Sequence, residues 1–227
     1  MWDVSADPVE FEQAIQFFRE RLLLTAAEFD ALTNASHDVA FTVAGVAQLD
    51  VVADVWTALD RAVAAGITVD EFKSAVLDRL LDAWGGTVDN PSARLDTIFR
   101  TNVQSAYSRG RYQQATDPDV LAIRPYWMFD AILDGRETEV CRKCDGKVVA
   151  ANDPWWHGHY PPCHFRCRSS VITLTESQAD GMGVTSKPPA IQASTGFGGL
   201  PNGQPWQPDP ADYPEPLWNI HSARIEE

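Results

Sequence analysis

The chain has 227 residues and a formal net charge of -14, long enough to bury a core and to hold one or two domains. No apolar run approaches the ~20 residues that span a bilayer, so the sequence predicts a soluble chain and excludes a membrane-spanning function. The charge is uneven, with a net -11 over residues 1–90, +2 over 91–175 and -5 over 176–227, so the acidic ends repel nucleic acid and only the middle can meet it.

The first ninety residues read as a helical layer. Asp7-Pro8 is an N-cap followed by a proline at the first helical position, and Phe11, Ile15, Phe18 and Leu22 recur at helical spacing. Thr25-x-x-Glu28 and Thr68-x-x-Glu71 are capping boxes, and Phe72, Val76 and Leu80 line the helix that the second one opens. Between them Leu49, Val52, Trp56, Leu59 and Val63 mark a longer helix ending near Gly66. Such stripes are core faces and imply no cofactor. After Gly85-Gly86, Asn90-Pro91 starts a helix that runs to about Gln114, with Leu95, Ile98, Phe99 and Val103 on its apolar face.

Past Pro118 the period changes. Residues 125–133, 147–150 and 169–175 are aromatic, branched or alternating, as strands of a small antiparallel sheet. From about Ala179 the composition turns to Gly, Pro, Ser and Asn, which supports no packed core of its own. Trp206, Tyr213 and Trp218 are nonetheless spaced through it, so this tail is expected to lie extended against another surface, in its own molecule or a partner. The reading is therefore α+β: a helical region over residues 1–118, a small β region over 119–178 and an extended tail over 179–227.

All four cysteines lie in that β region, as Cys141-x-x-Cys144 and Cys163-His164-x-x-Cys167. Two short Cys/His pairs at this spacing predict two knuckles that share one tetrahedral zinc. Soft thiolates and an imidazole select zinc over calcium or magnesium. Five candidate ligands compete for four positions, and His164-x-x-Cys167 mirrors the first pair, so the set expected is Cys141, Cys144, His164 and Cys167, with Cys163 spare. Four such ligands close the site and make it structural. Disulfides, free buried thiols and a redox pair are the other readings. The acidic first residues lack a basic stretch leading into an apolar run, so no oxidising compartment is expected. Arg136, Arg142, Lys143, Lys147, Arg166 and Arg168 surround the cluster, as a solvated face or as contacts to DNA phosphates.

Catalytic patterns are few. Trp155-Trp156-His157-Gly158-His159 lies between the knuckles and raises the alternative of a zinc-dependent nuclease of the His-containing finger type. Such an enzyme needs a further metal-binding side chain on an adjoining helix, whereas a strand is expected after Cys167. Asp130, Asp134, Glu137 and Glu139 flank Arg136 as ordinary ion-pair partners. No glycine-rich phosphate loop or serine elbow occurs, and no enzyme is expected.

Arg100-Thr101-Asn102, Asp134-Gly135-Arg136-Glu137-Thr138, Cys141-x-x-Cys144-Asp145-Gly146 and Pro161-Pro162-Cys163-His164-Phe165-Arg166-Cys167-Arg168, in that order, resemble the phage Mu F-like head morphogenesis family over roughly residues 40–175. In that family the His and the following Cys recur, which supports His164 and Cys167. Relatives often have Glu where this chain has Asn102, and a further Cys where it has Ser169. The resemblance implies a minor head protein of a tailed phage, prophage or gene transfer agent, assembled in the bacterial cytoplasm and resident in the virion head. Its implied partners are the portal protein and the inner capsid surface, with a role in retaining or delivering packaged DNA. No fused toxin domain is expected in the residues that follow.

Overall fold

A computed structural model describes residues 12–19, 21–24, 27, 40–195 and 197–200. The Asp7-Pro8 cap, the Thr25 capping box and Trp206, Tyr213 and Trp218 lie outside the described residues. The chain divides into two compact units that meet in sequence at Phe99–Arg100.

In the first unit α1 (Glu12–Arg19) buries Ile15 and Phe18. It ends before Leu22, which enters β1 (Leu22–Leu23), a short strand paired in parallel with β2 (Ala40–Phe41). The expected continuation of the α1 stripe to Leu22 is thus replaced by a strand. Phe18 stacks on Trp56 with centroids 5.6 Å apart and meets Phe41 edge-on at 6.2 Å. Trp56 lies on α2 (Leu49–Ala65), which buries Val52, Leu59 and Val63 and stops at Gly66, where φ is +67°. In α3 (Val69–Trp84) the expected capping box is complete. The Glu71 N–H donates to the Thr68 hydroxyl at 3.3 Å, and the Glu71 carboxylate accepts the Thr68 N–H at 2.7 Å. Phe72, Val76 and Leu80 are buried along it, as their spacing requires. The long α4 (Pro91–Ala115) contributes Leu95, fully buried, and Phe99, 5.3 Å from Phe72.

The second unit begins with the rest of α4. A six-residue helix, α5 (Pro118–Ile123), follows, capped by Asp117, whose carboxylate accepts the Asp119 N–H at 2.9 Å. The sequence reading had placed no helix there. The sheet has β3 (Tyr126–Asp130) at its centre, β4 (Val148–Ala150) on one side and β5 (Ser170–Leu174) on the other, all antiparallel. Pairing of Trp127 with Val149 and of Phe129 with Val171 puts these side chains on one face. That face carries the main core of the unit, with Trp156, Tyr160 and all four cysteines. The opposite face holds Val148, Leu174 and Met128 under Ala179 of α7 (Glu176–Met182). A second capping box, Thr175 with Gln178, opens α7, so residues 179–182 complete a helix where the composition had suggested tail.

Four rings of the second unit meet edge to face. Trp127 is 5.5 Å from Trp156 and 5.8 Å from Tyr160, and Tyr112 of α4 is 5.1 Å from Tyr160. Full burial of such side chains contributes about 1.5–3 kcal/mol each from area alone, with a further ~0.5–1.5 kcal/mol per ring pair.

Residues 183–195 and 197–200 do not leave this unit. The Thr185 N–H donates to the Val148 carbonyl at 2.8 Å, and the Trp155 indole N–H donates to the Pro189 carbonyl at 2.8 Å. Further along, the Ser194 N–H donates to the Cys163 carbonyl and the Gly198 N–H to the Pro162 carbonyl, both at 2.9 Å. This part of the expected tail lies on its own molecule as a strap over residues 155–163.

Candidate metal centre

The first cysteine pair is carried by α6 (Glu139–Cys144), a single helical stretch in which Cys141 and Cys144 are three residues apart and both buried. The helix ends at Asp145, and Gly146 takes φ +68°, the left-handed turn that starts β4. The second set sits on the turn 163–167, where the Cys167 N–H closes back onto the His164 carbonyl at 3.2 Å.

These elements bring Cys141, His164 and Cys167 together. Their ligand atoms all lie within 4.8 Å of one another. Cys141 Sγ is 3.2 Å from His164 Nε2 and 3.8 Å from Cys167 Sγ. Zinc–sulfur bonds of about 2.3 Å at the tetrahedral angle place two sulfurs about 3.8 Å apart, so the two thiols already stand at the spacing of a shared ion. The other imidazole nitrogen, His164 Nδ1, lies 2.8 Å from the Phe165 carbonyl. A proton donated there leaves Nε2 bare as the ligand atom. Cys144 is fully buried in the same cluster but is not one of the three gathered atoms. Cys163 faces elsewhere, with its thiol 3.6 Å from the His159 carbonyl.

The electrostatics describe one shared negative charge. Cys167 is held well below the ordinary thiol range by the hydrogen bond from Cys141, against the cost of burial, with help from His164 and from the backbone at Cys163 and Ser169. Cys141 is pushed well up, first by that same bond to Cys167 and then by burial. His164 is raised, chiefly by Cys167. Burial drives Cys144 up to about 11 and raises Cys163 further. A divalent cation is the species that would let the clustered thiols ionise together. Zinc fits the donor set of two thiolates and one imidazole, and bound there it would supply a structural staple between α6 and the turn before β5.

A lattice of polar contacts holds the two ligand-bearing segments. Arg168 grips both oxygens of Asp134 at 2.8 and 2.6 Å, and Arg136 reaches the same carboxylate at 2.7 Å. These arginines hold Asp134 far below the carboxylate range, Arg168 most of all. Glu137 accepts the N–H groups of Asp134 and Gly135 and the Arg142 guanidinium at 2.9 Å, while Glu139 pairs with Lys143 at 2.7 Å. Asp130 pairs with the Ser170 hydroxyl at 3.2 Å rather than with Arg136.

Three residues of α4 were not foreseen in this role. The Thr101 hydroxyl accepts the Arg166 N–H at 3.1 Å, the Gln104 side chain donates to the Ser169 carbonyl at 2.9 Å, and the Ser108 hydroxyl donates to the Pro161 carbonyl at 2.5 Å. Their spacing of three and four residues puts them on one helical face.

The two loop histidines separate. His157 is exposed on the 3-10 turn Pro154–Gly158. His159 is buried and stacked on Trp155 at 4.3 Å, with Nδ1 2.7 Å from the Trp155 carbonyl and Nε2 2.6 Å from the Ile191 carbonyl. Both ring nitrogens of His159 are thus occupied by backbone. Neither histidine joins Cys141, His164 and Cys167 in a metal-binding group. Among the described residues, no helix is long and apolar enough to cross a membrane.

The fold and the site define a class: an α+β protein whose distinctive residues converge on a buried Cys/His centre and on the contacts that brace it. Residues 53–172 match the family model described as Phage Mu protein F like protein, and the chain belongs to that family. A capsid assembly protein F of Escherichia phage Mu is 30% identical over 188 residues, which cover 76% of this chain and 42% of that protein. The Mu-like prophage FluMu F protein of Haemophilus influenzae is 32% identical over 162 residues, covering 66% of this chain and 38% of that one. The chain spans about two fifths of the length of these curated relatives. No solved structure matches it.

Proposed function

We propose that this chain is a minor structural protein of a phage or prophage head, acting in head morphogenesis. In this reading it is assembled in the bacterial cytoplasm, binds the portal and the inner capsid surface, and stays in the virion head. The observation that carries the reading is the use made of the family's signature residues. Thr101, Asp134, Cys141, His164, Cys167 and Arg168 are joined to one another or to the backbone around the centre, as residues that build a scaffold are. The name of the Mu relative, a capsid assembly protein, points the same way.

Zinc held by Cys141, His164 and Cys167, with Cys144 as the fourth ligand, is the structural staple of this reading. Cys144 is three residues from Cys141 on α6 and buried in the same core cluster. The second unit carries eleven Lys and Arg against ten Asp and Glu over residues 100–200. This is the part of the acidic chain that tolerates packaged DNA.

The test is deletion of the coding sequence from an inducible prophage, together with mass spectrometry of purified heads. The reading expects the chain in DNA-filled heads, cross-linked to portal protein, and a loss of filled heads on deletion. Heads that lack the chain, with particle yield unchanged by deletion, would sink it.

A further inference from the structure

We propose that the strap of residues 189–195 and 197–200 is coupled to the metal centre, so that docking of the strap and binding of zinc strengthen each other. The inference rests on the zinc reading above.

The argument begins at Gly198. Its φ is +80°, and a Cβ there would stand 2.5 Å from the Ala193 Cβ and 2.5 Å from the Gly158 carbonyl oxygen. Only glycine fits this approach of two backbones. The contact is reciprocal, because the Gly198 N–H donates to the Pro162 carbonyl at 2.9 Å and the Tyr160 N–H donates to the Gly198 carbonyl at 3.1 Å. The Ser194 N–H donates to the Cys163 carbonyl, the residue directly before the ligand His164. On the other side of the turn, Phe197 meets Phe165 edge-on at 4.8 Å, directly after that ligand. The strap thus holds both neighbours of His164.

Residues 188–200 carry no charged side chain, so docking depends on backbone hydrogen bonds and apolar contact. Such bonds need their partners fixed. The acceptors on residues 162 and 163 adjoin the turn 163–167, and a metal on His164 and Cys167 would hold that turn in one conformation. Conversely, a docked strap removes in advance the conformational freedom that zinc binding would otherwise have to remove. Two ligands that order the same segment help each other, and linkage makes the help equal in both directions.

The experiment uses the full chain. Zinc affinity is measured by competition with a chelator, and amide exchange over residues 189–200 is followed with zinc present and removed. Gly198→Ala blocks the approach, and Ser194→Pro deletes a single donor. Protection of β3 in both variants reports that the sheet has folded. We expect chelation of the wild-type chain to raise exchange in the strap about 10-fold, and each variant to bind zinc about 10-fold more weakly, a typical coupling. Folded variants whose straps exchange freely while zinc affinity stays within about twofold would overturn the coupling and leave the zinc site standing. A wild-type chain that takes up no zinc would overturn the zinc reading, and the coupling with it.

Discussion

The hydroxyl of Thr101 accepts the backbone N–H of Arg166 across sixty-five residues, at 3.1 Å. Arg166 is the one non-glycine residue with positive φ among those described, at 59°, and this conformation costs about 1 kcal/mol for an ordinary side chain. The α4 helix therefore offsets part of the strain that turns the chain between His164 and Cys167.

Thr101→Ala should destabilise the second unit by about 0.5–1.5 kcal/mol, the net worth of one such bond. Thr101→Ser keeps the acceptor and should restore most of it. Denaturant melts followed by tryptophan fluorescence would separate the two; equal midpoints for wild type and Thr101→Ala would show that the bond contributes nothing.

The cysteines should divide by role. Cys141→Ser and Cys167→Ser are expected to lose zinc on dialysis, and Cys144→Ser to bind it more weakly, while Cys163→Ala keeps about one ion per chain. Elemental analysis with thiol titration reads this directly. Full zinc in Cys144→Ser together with loss in Cys163→Ala would exchange the fourth ligand.

How much of this was legible follows from how local each signal is. The Thr68 capping box, the Gly66 stop and the Phe72, Val76, Leu80 stripe are settled within one or two helical turns, and all three stand as read. That Cys141, His164 and Cys167 lie together was legible from their chemistry and spacing, although Cys144, the fourth ligand expected, is not one of the gathered atoms. The clamp from Thr101, Gln104 and Ser108 was not, since its partners lie fifty to sixty-five residues away and are backbone groups with no side-chain signature. The parallel pairing of β1 and β2 joins residues eighteen apart and is only two residues deep. At Gly198 the composition promised only that the segment has no packed core of its own, and the structure adds a close approach that admits no side chain.

Asp134 gives a pH dependence. Its carboxyl is held below the ordinary 3.8 by Arg168 first and Arg136 second. A carboxyl lowered in the folded state stabilises the fold above 3.8, and that contribution is lost as pH falls through the depressed folded value. Asp134→Asn should therefore lower Tm near neutral pH and flatten the fall in Tm between about pH 5 and about pH 2. The site is solvent-facing, so the change should be small. Parallel acid limbs for both proteins would count against the role given to this pair.

Trp156 is fully buried and touches Trp127, Trp155 and Tyr160, and its indole N–H donates to the Ala150 carbonyl at 3.0 Å. Trp156→Ala should cost about 3–5 kcal/mol, and Trp156→Phe much less. Hydrogen exchange in β3 and β4 would locate the loss, and an unchanged global midpoint for the alanine variant would contradict the packing described.

The strap also has a place in time. A ribosome adds about 5–20 residues per second, so the turn with His164 and Cys167 emerges seconds before Ser194 and Gly198 exist to cover it. Zinc can reach its ligands during that interval, while the turn is still open on one side. Once Gly198 has settled against residue 158, the strap would stand over one side of any ion held there.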